Sequence, residues 1–318
     1  MKKNKNITQV KSVVKKILGL RMVRTIKYGI FIGPGEFANA RESIWRIIKI
    51  CYSERYHRNE YWLGRLRLNA HVLDKGFQVK NYESGRSVRY YEEAKNLMEL
   101  IKASKVSDDP SYKWAKDRIR QYEDKQECPD LDITHSVEKT TCSYDDLRDI
   151  IRTRRSIRQF DERIVDGQLL EKIFEVINWS PSSCNRQSAK VFVTNNPEKV
   201  RECMKSSVGA TCFSDFVPVY ISFCADLRAY DMPAEFFNPH IDVSLGIQNC
   251  NLVAQALGLS ITMLSWASHT KMGEERLRTV LEIPDHCQIV VNAVLGYPES
   301  SGPVPIRKSI FRTLKIIK

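Results

Sequence analysis

A run of basic residues with one hydroxyl group is the strongest chemical signal in this sequence. Arg154-Arg155-Ser156-Ile157-Arg158-Gln159-Phe160 places three guanidinium groups and a serine within five residues. Guanidinium groups this close repel one another unless an anion joins them, and their forked donors match the oxygens of a phosphate. The segment is therefore a candidate phosphate site. The alternative is a solvated basic turn that pairs with Asp161 and Glu162.

A second polar segment follows, Ser180-Pro181-Ser182-Ser183-Cys184-Asn185-Arg186-Gln187. Its hydroxyl, amide and backbone groups could bind the polar edge of a heterocycle. Serine, proline and asparagine are also ordinary turn residues, so a simple connection between a helix and a strand is the alternative. Cys184 is either a redox thiol or a small filler, and the filler is favoured because reactivity requires a lowered pKa.

These two segments, with two later ones, resemble the nitroreductase family of FMN enzymes. That family has an Arg-x-Ser-x-Arg/Lys-x-Phe segment, then a Pro-Ser-Ser-x-Asn-x-Gln loop. The third element here is a helix that leads into Gly258-Leu259-Ser260-Ile261. The fourth is Gly296-Tyr297-Pro298, followed by the basic residues Arg307 and Lys308. The resemblance covers about residues 144–308, with the four elements in the family's order.

The resemblance implies a set of contacts with FMN. Arg154, Arg155 and Ser156 would meet the phosphate and the ribityl chain, and Arg307 would close on the phosphate. Arg158 would lie near the flavin pyrimidine, where a cation stabilises the reduced ring. The remaining residues would line the isoalloxazine ring or face its N5 atom: Pro181, Ser182, Ser183, Asn185, Gln187, Leu264 and Ser265. No catalytic side chain is expected, because the hydride moves through N5.

The activity implied is that of an FMN-dependent oxidoreductase, a homodimer with FMN at its interface. It would transfer hydride between NAD(P)H and an unidentified organic acceptor by a ping-pong mechanism. Three alternatives stay open: an FMN-dependent dehydrogenase that oxidises a specialised substrate, a non-catalytic flavoprotein that serves as a partner-binding scaffold, and a protein that consumes FMN itself.

Hydrophobic periodicity predicts the elements that position these segments. Ser143 is expected to cap a helix that runs through Thr153, with acidic residues in its first turn. Gly258 is expected to end a long helix. The predicted elements after the first helix are a helix at 166–178, strands at 190–194 and 217–225, a helix at 241–257, and strands at 260–264 and 288–297. The fold class expected is α+β, a mostly antiparallel sheet flanked by helices.

The chain is predicted to divide into a helical accessory region, residues 1–140, and an FMN-binding domain, residues 141–318. Gly33-Pro34-Gly35 breaks the first part, and residues 128–141 read as a linker. Helical patterns in the first part occur at residues 7–22, 38–52, 60–73, 88–104 and 111–125. The stretch from His71 to Gly76 is either a lid over the flavin or, preferably, a polar helix end.

Composition limits the remaining classes of function. The chain has 318 residues and a formal net charge of +12, and its bases are concentrated in the first sixty residues. This asymmetry indicates either a solvated face or an anionic partner. The basic helix at 7–22 makes peripheral membrane contact a minority hypothesis. Nucleic acid is not expected, since no helix-turn-helix, zinc or RNA-recognition signature is present.

The cysteines and histidines form no recognisable metal or disulfide pattern. The nine cysteines lie far apart with no CxxC pair, and no HExxH motif occurs. His240 and Asp242 flank one residue, but two ligands do not make a metal site. Reduced thiols, no secretory leader and no apolar run of about 18 residues together favour a cytoplasmic protein.

Overall fold

The computed structural model describes residues 58–79, 82–133, 136–230, 235–266, 269–302 and 304–317. The helices predicted at residues 7–22 and 38–52 and the Gly33-Pro34-Gly35 break lie outside these ranges. So does the basic surface proposed for membrane contact. Within the described ranges, no helix is both long and apolar enough to cross a membrane.

The described part of the N-terminal region is helical, as the sequence predicts. Its helices are α1 (Arg58–Phe77), α2 (Val88–Lys102) and α3 (Pro110–Glu127). Apolar side chains from all three helices form one buried cluster, which includes Leu66, Leu97 and Ile119. The predicted boundaries differ from the observed ones by only a few residues, because the apolar stripes that define the helices are also what packs them together.

The C-terminal half is built on an antiparallel sheet of four strands. In chain order these are β1 (Ala189–Thr194), β2 (Val219–Asp226), β3 (Ser260–Leu264) and β4 (Cys287–Gly296). Their spatial order is β1-β2-β4-β3, and every neighbouring pair is antiparallel. β2 is buried along its whole length, which confirms the prediction of a strand covered on both faces.

Helices cover both faces of the sheet and complete the α+β fold. They are α4 (Tyr144–Thr153), α5 (Gly167–Phe174), α6 (Pro197–Ser206), α7 (Asn238–Ala256) and α8 (Lys271–Leu281). Residues of α5 and α7 pack with Phe223 on one face of the sheet. Residues of α6 and α8 pack with Tyr220 on the other face. The two helices α6 and α8 were not predicted from the sequence.

Local signals at the ends of these helices agree with the predictions. Ser143 and Asp146 form a reciprocal capping box at the start of α4. Gly258 follows α7 with a φ of 76°, a conformation that suits glycine. The helix predicted at 166–178 is α5, capped by Asp166, and a 3-10 turn at Glu175–Trp179.

Helix α1 connects the two halves of the structure. It packs against the short segments Ser183–Asn185 and Leu227–Ala229 of the C-terminal half. A Cβ atom on Gly64 would lie 3.1 Å from the Cα atom of Ala229, so this glycine permits a close approach. The boundary near residue 140 stays a prediction.

Candidate functional site

The basic segment at residues 154–160 is held against edge strand β3 and the end of β4. The hydroxyl of Ser260 donates to the carbonyl of Arg155 at 2.7 Å, and that of Thr262 donates to the carbonyl of Ile157 at 2.7 Å. Further along, Phe160 forms an isolated antiparallel bridge with Pro298. The first and the fourth family-like segments therefore lie side by side.

Gly296 makes this arrangement sterically possible. A Cβ atom at position 296 would lie 2.7 Å from Cγ of Pro218 and 2.8 Å from Cδ1 of Phe160. Neither ring can withdraw easily, since Phe160 and Pro218 are both buried. The glycine of the Gly296-Tyr297-Pro298 turn thus fixes the separation between the turn and the basic segment.

Three of the predicted phosphate ligands lie within one electrostatic neighbourhood. Burial lowers the pKa of Arg154, and the positive charges of Arg307 and Arg155 lower it further. Arg155 donates to the backbone carbonyls of Arg152 and Arg154, at 2.6 and 2.8 Å. Among the described residues, Arg154, Arg155 and Arg307 have no carboxylate partner. Their mutual repulsion is the electrostatic condition that a bound anion relieves.

Ser156 and Arg158 lie at the exposed surface of the same segment. The guanidinium carbon of Arg158 lies 5.9 Å from the centre of the Phe213 ring. The backbone N–H of Ser214 donates to the carbonyl of Arg158 at 2.9 Å. The structure therefore adds the connection between α6 and β2 to this region, a segment without any recognisable motif in the sequence.

Leu264 and Ser265 lie at the end of β3, as predicted. Leu264 is buried and ends the strand, and Ser265 is exposed. Gly209 lies beside them with a φ of 82°, and a Cβ atom there would come within 3.0 Å of the Ser265 backbone nitrogen. Gly209 was missed by sequence reasoning, because an isolated glycine in a connection has no pattern.

The loop from Pro181 to Gln187 is fixed by a buried carboxylate on α7. Asp242 accepts hydrogen bonds from the backbone N–H and the hydroxyl of Ser183, at 3.0 and 2.9 Å. Its other oxygen accepts from the hydroxyl of Tyr230 at 2.8 Å. The Tyr230 hydroxyl also lies 2.7 Å from that of Ser188. The predicted ligand Ser183 is thus already engaged through its hydroxyl, and Asp242 has a structural role that the sequence did not reveal.

The backbone of this loop has an unusual conformation. Cys184, Asn185 and Gln187 all have φ near +53°, in the left-handed region. The N–H of Gln187 donates to the hydroxyl of Ser182 at 3.1 Å, and the Gln187 amide donates to the Asn185 side chain at 3.2 Å. Non-glycine residues persist in this conformation only when surrounding contacts enforce it. Here those contacts join the predicted ligands Ser182, Asn185 and Gln187 to one another, while Pro181 is exposed.

Arg186 lies beneath the loop and was not singled out from the sequence. It is 1% exposed and forms an ion pair with Glu235. The centre of the Tyr230 ring lies 5.4 Å from its guanidinium carbon. Its backbone carbonyl accepts from Arg67 of α1 at 3.4 Å. The loop is therefore supported from both halves of the chain.

Within one chain, the basic segment and the Pro181–Gln187 loop lie at opposite ends of the sheet. The loop is joined to one end, since the backbone N–H of Asp226 donates to the carbonyl of Ser188 at 2.7 Å, and Asp226 pairs with Cys287 at that end of the sheet. The basic segment lies at the other end, where Gly296 pairs with Ser260. β4 spans the ten residues between these ends, a length of about 30 Å at ~3.3 Å per residue. A single copy does not bring the two predicted ligand groups into one site.

Two other candidates have identifiable structural partners. Asp74, in the stretch from His71 to Gly76, pairs with Arg118 at 2.8 Å. Burial lowers the pKa of His71, and the charge of Lys75 lowers it further.

Asp226, His286 and Cys287 form the one cluster of metal-ligand type within the described ranges. Arg228 binds both Asp226 oxygens, at 2.9 and 2.6 Å.

Comparison with known proteins gives one family. Residues 151–215 match the family model described as the Nitroreductase family. A protein of Methanothermobacter thermautotrophicus, provisionally named NADH dehydrogenase/NAD(P)H nitroreductase, is 28% identical over 48% of this chain and 78% of its own length. The FMN reductase (NADPH) of Bacillus subtilis is 24% identical over 49% of this chain and 67% of its own length.

A solved structure is also similar to this chain. It is a nitroreductase with bound FMN from Desulfitobacterium hafniense, with 20% sequence identity and a TM-score of 0.44. The similarity covers 54% of this chain and 98% of that one.

Proposed function

We propose that this chain, of which residues 151–215 match the nitroreductase family model, belongs to that family and is an FMN-dependent NAD(P)H oxidoreductase with an organic acceptor. The observation that carries the proposal is the group of unpaired cations Arg154, Arg155 and Arg307, held beside the end of β4. The names of the relatives, which include an FMN reductase of Bacillus subtilis, support the same cofactor and the same donor.

The residues present fit the phosphate end of FMN. A phosphate monoester carries nearly two negative charges at neutral pH, which suits a cluster of three cations without a carboxylate. Arg154 is half-buried, so its charge is screened less by solvent than a surface charge would be. Ser156 follows in the same segment and adds a hydroxyl donor. Arg307 reaches this cluster from beyond the Gly296-Tyr297-Pro298 turn.

When bound, FMN would supply the chemistry for hydride transfer between NAD(P)H and an acceptor, which we propose follows a ping-pong cycle. The chain's own task is to bind and orient the flavin ring. Arg158 supplies a positive charge beside Phe213. That charge would stabilise the negative charge of a reduced flavin ring bound next to it. Ser265 is exposed at the end of β3, and Gly209 allows the connection between α6 and β2 to approach its backbone closely.

We further propose that the site is completed by a second copy of the chain. Because the basic segment and the Pro181–Gln187 loop lie at opposite ends of the sheet, one copy would offer the phosphate ligands and another would offer the loop. An interface of this kind is usual for a symmetric homodimer, in which each partner contributes the same two surfaces. Each dimer would then hold two equivalent sites.

The exposed face of α7 supports such an interface. Ile241 and Leu245 are 54% and 45% exposed, one turn apart, while the opposite face of α7 is buried in the core. A helix that is apolar on both faces is normally covered on both. Trp179, which is 85% exposed, adds a large apolar side chain. These groups would be covered by a second copy.

The cytoplasm is the compartment we propose, because the eight cysteines of the described residues are all free thiols. The two-unit division at residue 140 and the membrane contact of the basic helix at 7–22 stay as predictions. Flotation of the full chain with acidic vesicles tests the second of these.

The cofactor is tested first by titrating the full chain with FMN and following flavin absorbance and fluorescence. Arg154→Met should weaken FMN binding about ten- to a hundredfold, because one charge-assisted hydrogen bond is worth about 1.5–3 kcal/mol. The matched control is Arg120→Met, since Arg120 is a surface residue of α3. A wild-type chain that takes up no FMN contradicts the proposal, as does an Arg154→Met chain that binds FMN like wild type.

The shared site is tested by mixing two variants that each bind FMN poorly, at an FMN concentration that only an intact site takes up. Arg154→Met removes a phosphate ligand, and Pro181→Trp fills the space beside the loop from an exposed position. Unfolding and refolding an equal mixture should restore FMN binding to about a quarter of the sites, since half of the dimers would be mixed and each would hold one intact site. If both groups act within one copy, no binding returns.

A further inference from the structure

Helix α1 lies against the Pro181–Gln187 loop, which belongs to the cofactor site proposed above. It packs on Ser183–Asn185, in the middle of the loop. The carbonyl of Arg186 accepts a hydrogen bond from Arg67 of α1 at 3.4 Å. Asp242 of α7 binds the same loop from the C-terminal half. The loop is therefore held between a helix of the N-terminal region and a helix of the C-terminal half.

The guanidinium group of Arg67 has a partner for each of its three nitrogens. Nε donates to the Ser111 hydroxyl at 2.7 Å, and Nη2 donates to the Asp109 carboxylate at 3.1 Å. Asp109 is itself fixed, because it caps α3 by accepting from the backbone N–H of Ser111 at 2.8 Å. Since a guanidinium group is planar and rigid, these two bonds direct the third nitrogen, Nη1, at the carbonyl of Arg186.

A second contact of α1 reaches the residues that support the loop. A Cβ atom on Gly64 would lie 3.1 Å from the Cα atom of Ala229, so the helix lies directly on this backbone. The next residue, Tyr230, donates to Asp242 at 2.8 Å. The centre of the Tyr230 ring lies 5.4 Å from the guanidinium carbon of Arg186. Helix α1 thus contacts both the loop and its support.

The conformation of the loop requires contacts from outside it. Cys184, Asn185 and Gln187 have φ near +53°, where non-glycine residues persist only when their surroundings enforce it. The N–H of Asn185 donates to the Ser182 carbonyl at 3.0 Å, and that of Gln187 donates to the Ser182 hydroxyl at 3.1 Å. Because both bonds lie within the loop, its placement depends on α1 and α7.

We propose that α1 is the positioning helix of the cofactor loop and that Arg67 is its positioning residue. The helix holds the loop in its left-handed conformation, so the N-terminal helical region is an integral part of the cofactor site. The inference rests on the proposed function, since it takes the loop as a ligand of FMN. In the shared site proposed above, α1 of one copy orders the loop that completes the site of the other.

Two substitutions in α1 test this, each with a matched control in the same helix. Arg67→Met removes the hydrogen bond to the loop, whereas Arg65→Met removes an ion pair with α2, inside the helical region. Gly64→Ala pushes α1 away from the C-terminal half. Gly76→Ala is its control, because a Cβ atom at position 76 would lie 3.8 Å from its nearest neighbour, an ordinary contact.

The first measurement is hydrogen exchange of the full chain without FMN, followed by mass spectrometry of the loop peptide. Arg67→Met should speed exchange of the Asn185 and Gln187 amides about tenfold, because a charge-assisted hydrogen bond is lost. Gly64→Ala should change exchange in the same direction, and both controls should match wild type. Amides of β2 should keep their wild-type rate, since a global loss of stability would speed them as well.

The proposal is overturned if the loop amides exchange at the wild-type rate in both Arg67→Met and Gly64→Ala. It is also overturned if the amides of β2 are accelerated as much as those of the loop, because α1 would then stabilise the whole fold rather than position the loop.

FMN titration separates this proposal from the cofactor assignment. Arg67→Met should bind FMN about tenfold more weakly than Arg65→Met, and equal affinities overturn the proposal. A wild-type chain that takes up no FMN contradicts the cofactor assignment alone. The exchange rates then still decide whether α1 positions the loop.

Discussion

Removing the Asp242 carboxylate should show how much the Pro181–Gln187 loop depends on α7. Asp242 is 4% exposed and accepts three hydrogen bonds, two from Ser183 and one from Tyr230. Asp242→Ala leaves the Ser183 N–H and the Tyr230 hydroxyl without this partner. The Tyr230 hydroxyl keeps Ser188 as a partner, so the loss falls mainly on the two Ser183 hydrogen bonds. A hydrogen bond to a charged group is worth about 1.5–3 kcal/mol, so the free energy of unfolding should fall by about 3–6 kcal/mol.

Asp242→Asn should cost much less than Asp242→Ala. Its amide oxygen can still accept both Ser183 hydrogen bonds, although these are no longer charge-assisted. Its NH₂ group can donate to the Tyr230 hydroxyl, which then donates to the Ser188 hydroxyl. Burial raises the pKa of Tyr230 far above neutral, so its hydroxyl keeps its proton through this exchange. We expect a loss of about 1–2 kcal/mol for this variant.

The assay is urea denaturation at one protein concentration, with the slope of the transition compared between variants. FMN titration of the same proteins should give the same order, with Asp242→Ala weaker than Asp242→Asn and both weaker than wild type. The reasoning is refuted if Asp242→Ala costs less than about 1 kcal/mol, or if the two variants are equally destabilised.

Three further perturbations test other parts of the structure. Gly246→Ala should destabilise the fold by about 1–3 kcal/mol, because its Cβ would lie 2.6 Å from Cγ1 of Ile177; thermal unfolding measures this, and an unchanged Tm contradicts it. Burial tends to raise the pKa of Asp226, but its hydrogen bonds with Arg228 and the charge of that residue outweigh burial and lower it. This carboxylate therefore stabilises the fold above about pH 4 and loses its effect as pH falls through the lowered pKa, so acid unfolding should be less steep in Asp226→Asn than in wild type. Burial raises the pKa of four thiols to about 12, namely those of Cys203, Cys224, Cys250 and Cys287. These thiols should resist alkylation at pH 8 until the chain unfolds, whereas exposed Cys212 should react. Peptide mapping of the alkylated protein measures both outcomes.

Local patterns in the sequence were enough to predict most elements of the C-terminal half and the order of its four family-like segments. Each predicted strand of the C-terminal half is present in the structure. A β-branched run bounded by turn residues identifies a strand from only a few neighbouring residues of the sequence. The Ser143 capping box is equally local, since donor and acceptor are three residues apart. Helices α6 and α8 were not predicted, because their few apolar residues gain meaning only when they pack against the sheet.

Which of these segments meet follows only from how the strands and helices pack together. The packing brings Arg307 close to Arg154, although the two residues lie near opposite ends of the C-terminal half in sequence. The same packing places the Pro181–Gln187 loop at the other end of the sheet from both arginines. The anchor Asp242 lies 59 residues along the chain from Ser183. Such pairs depend on strand order and helix packing, which arise from the sum of many weak contacts rather than from any short pattern in the chain.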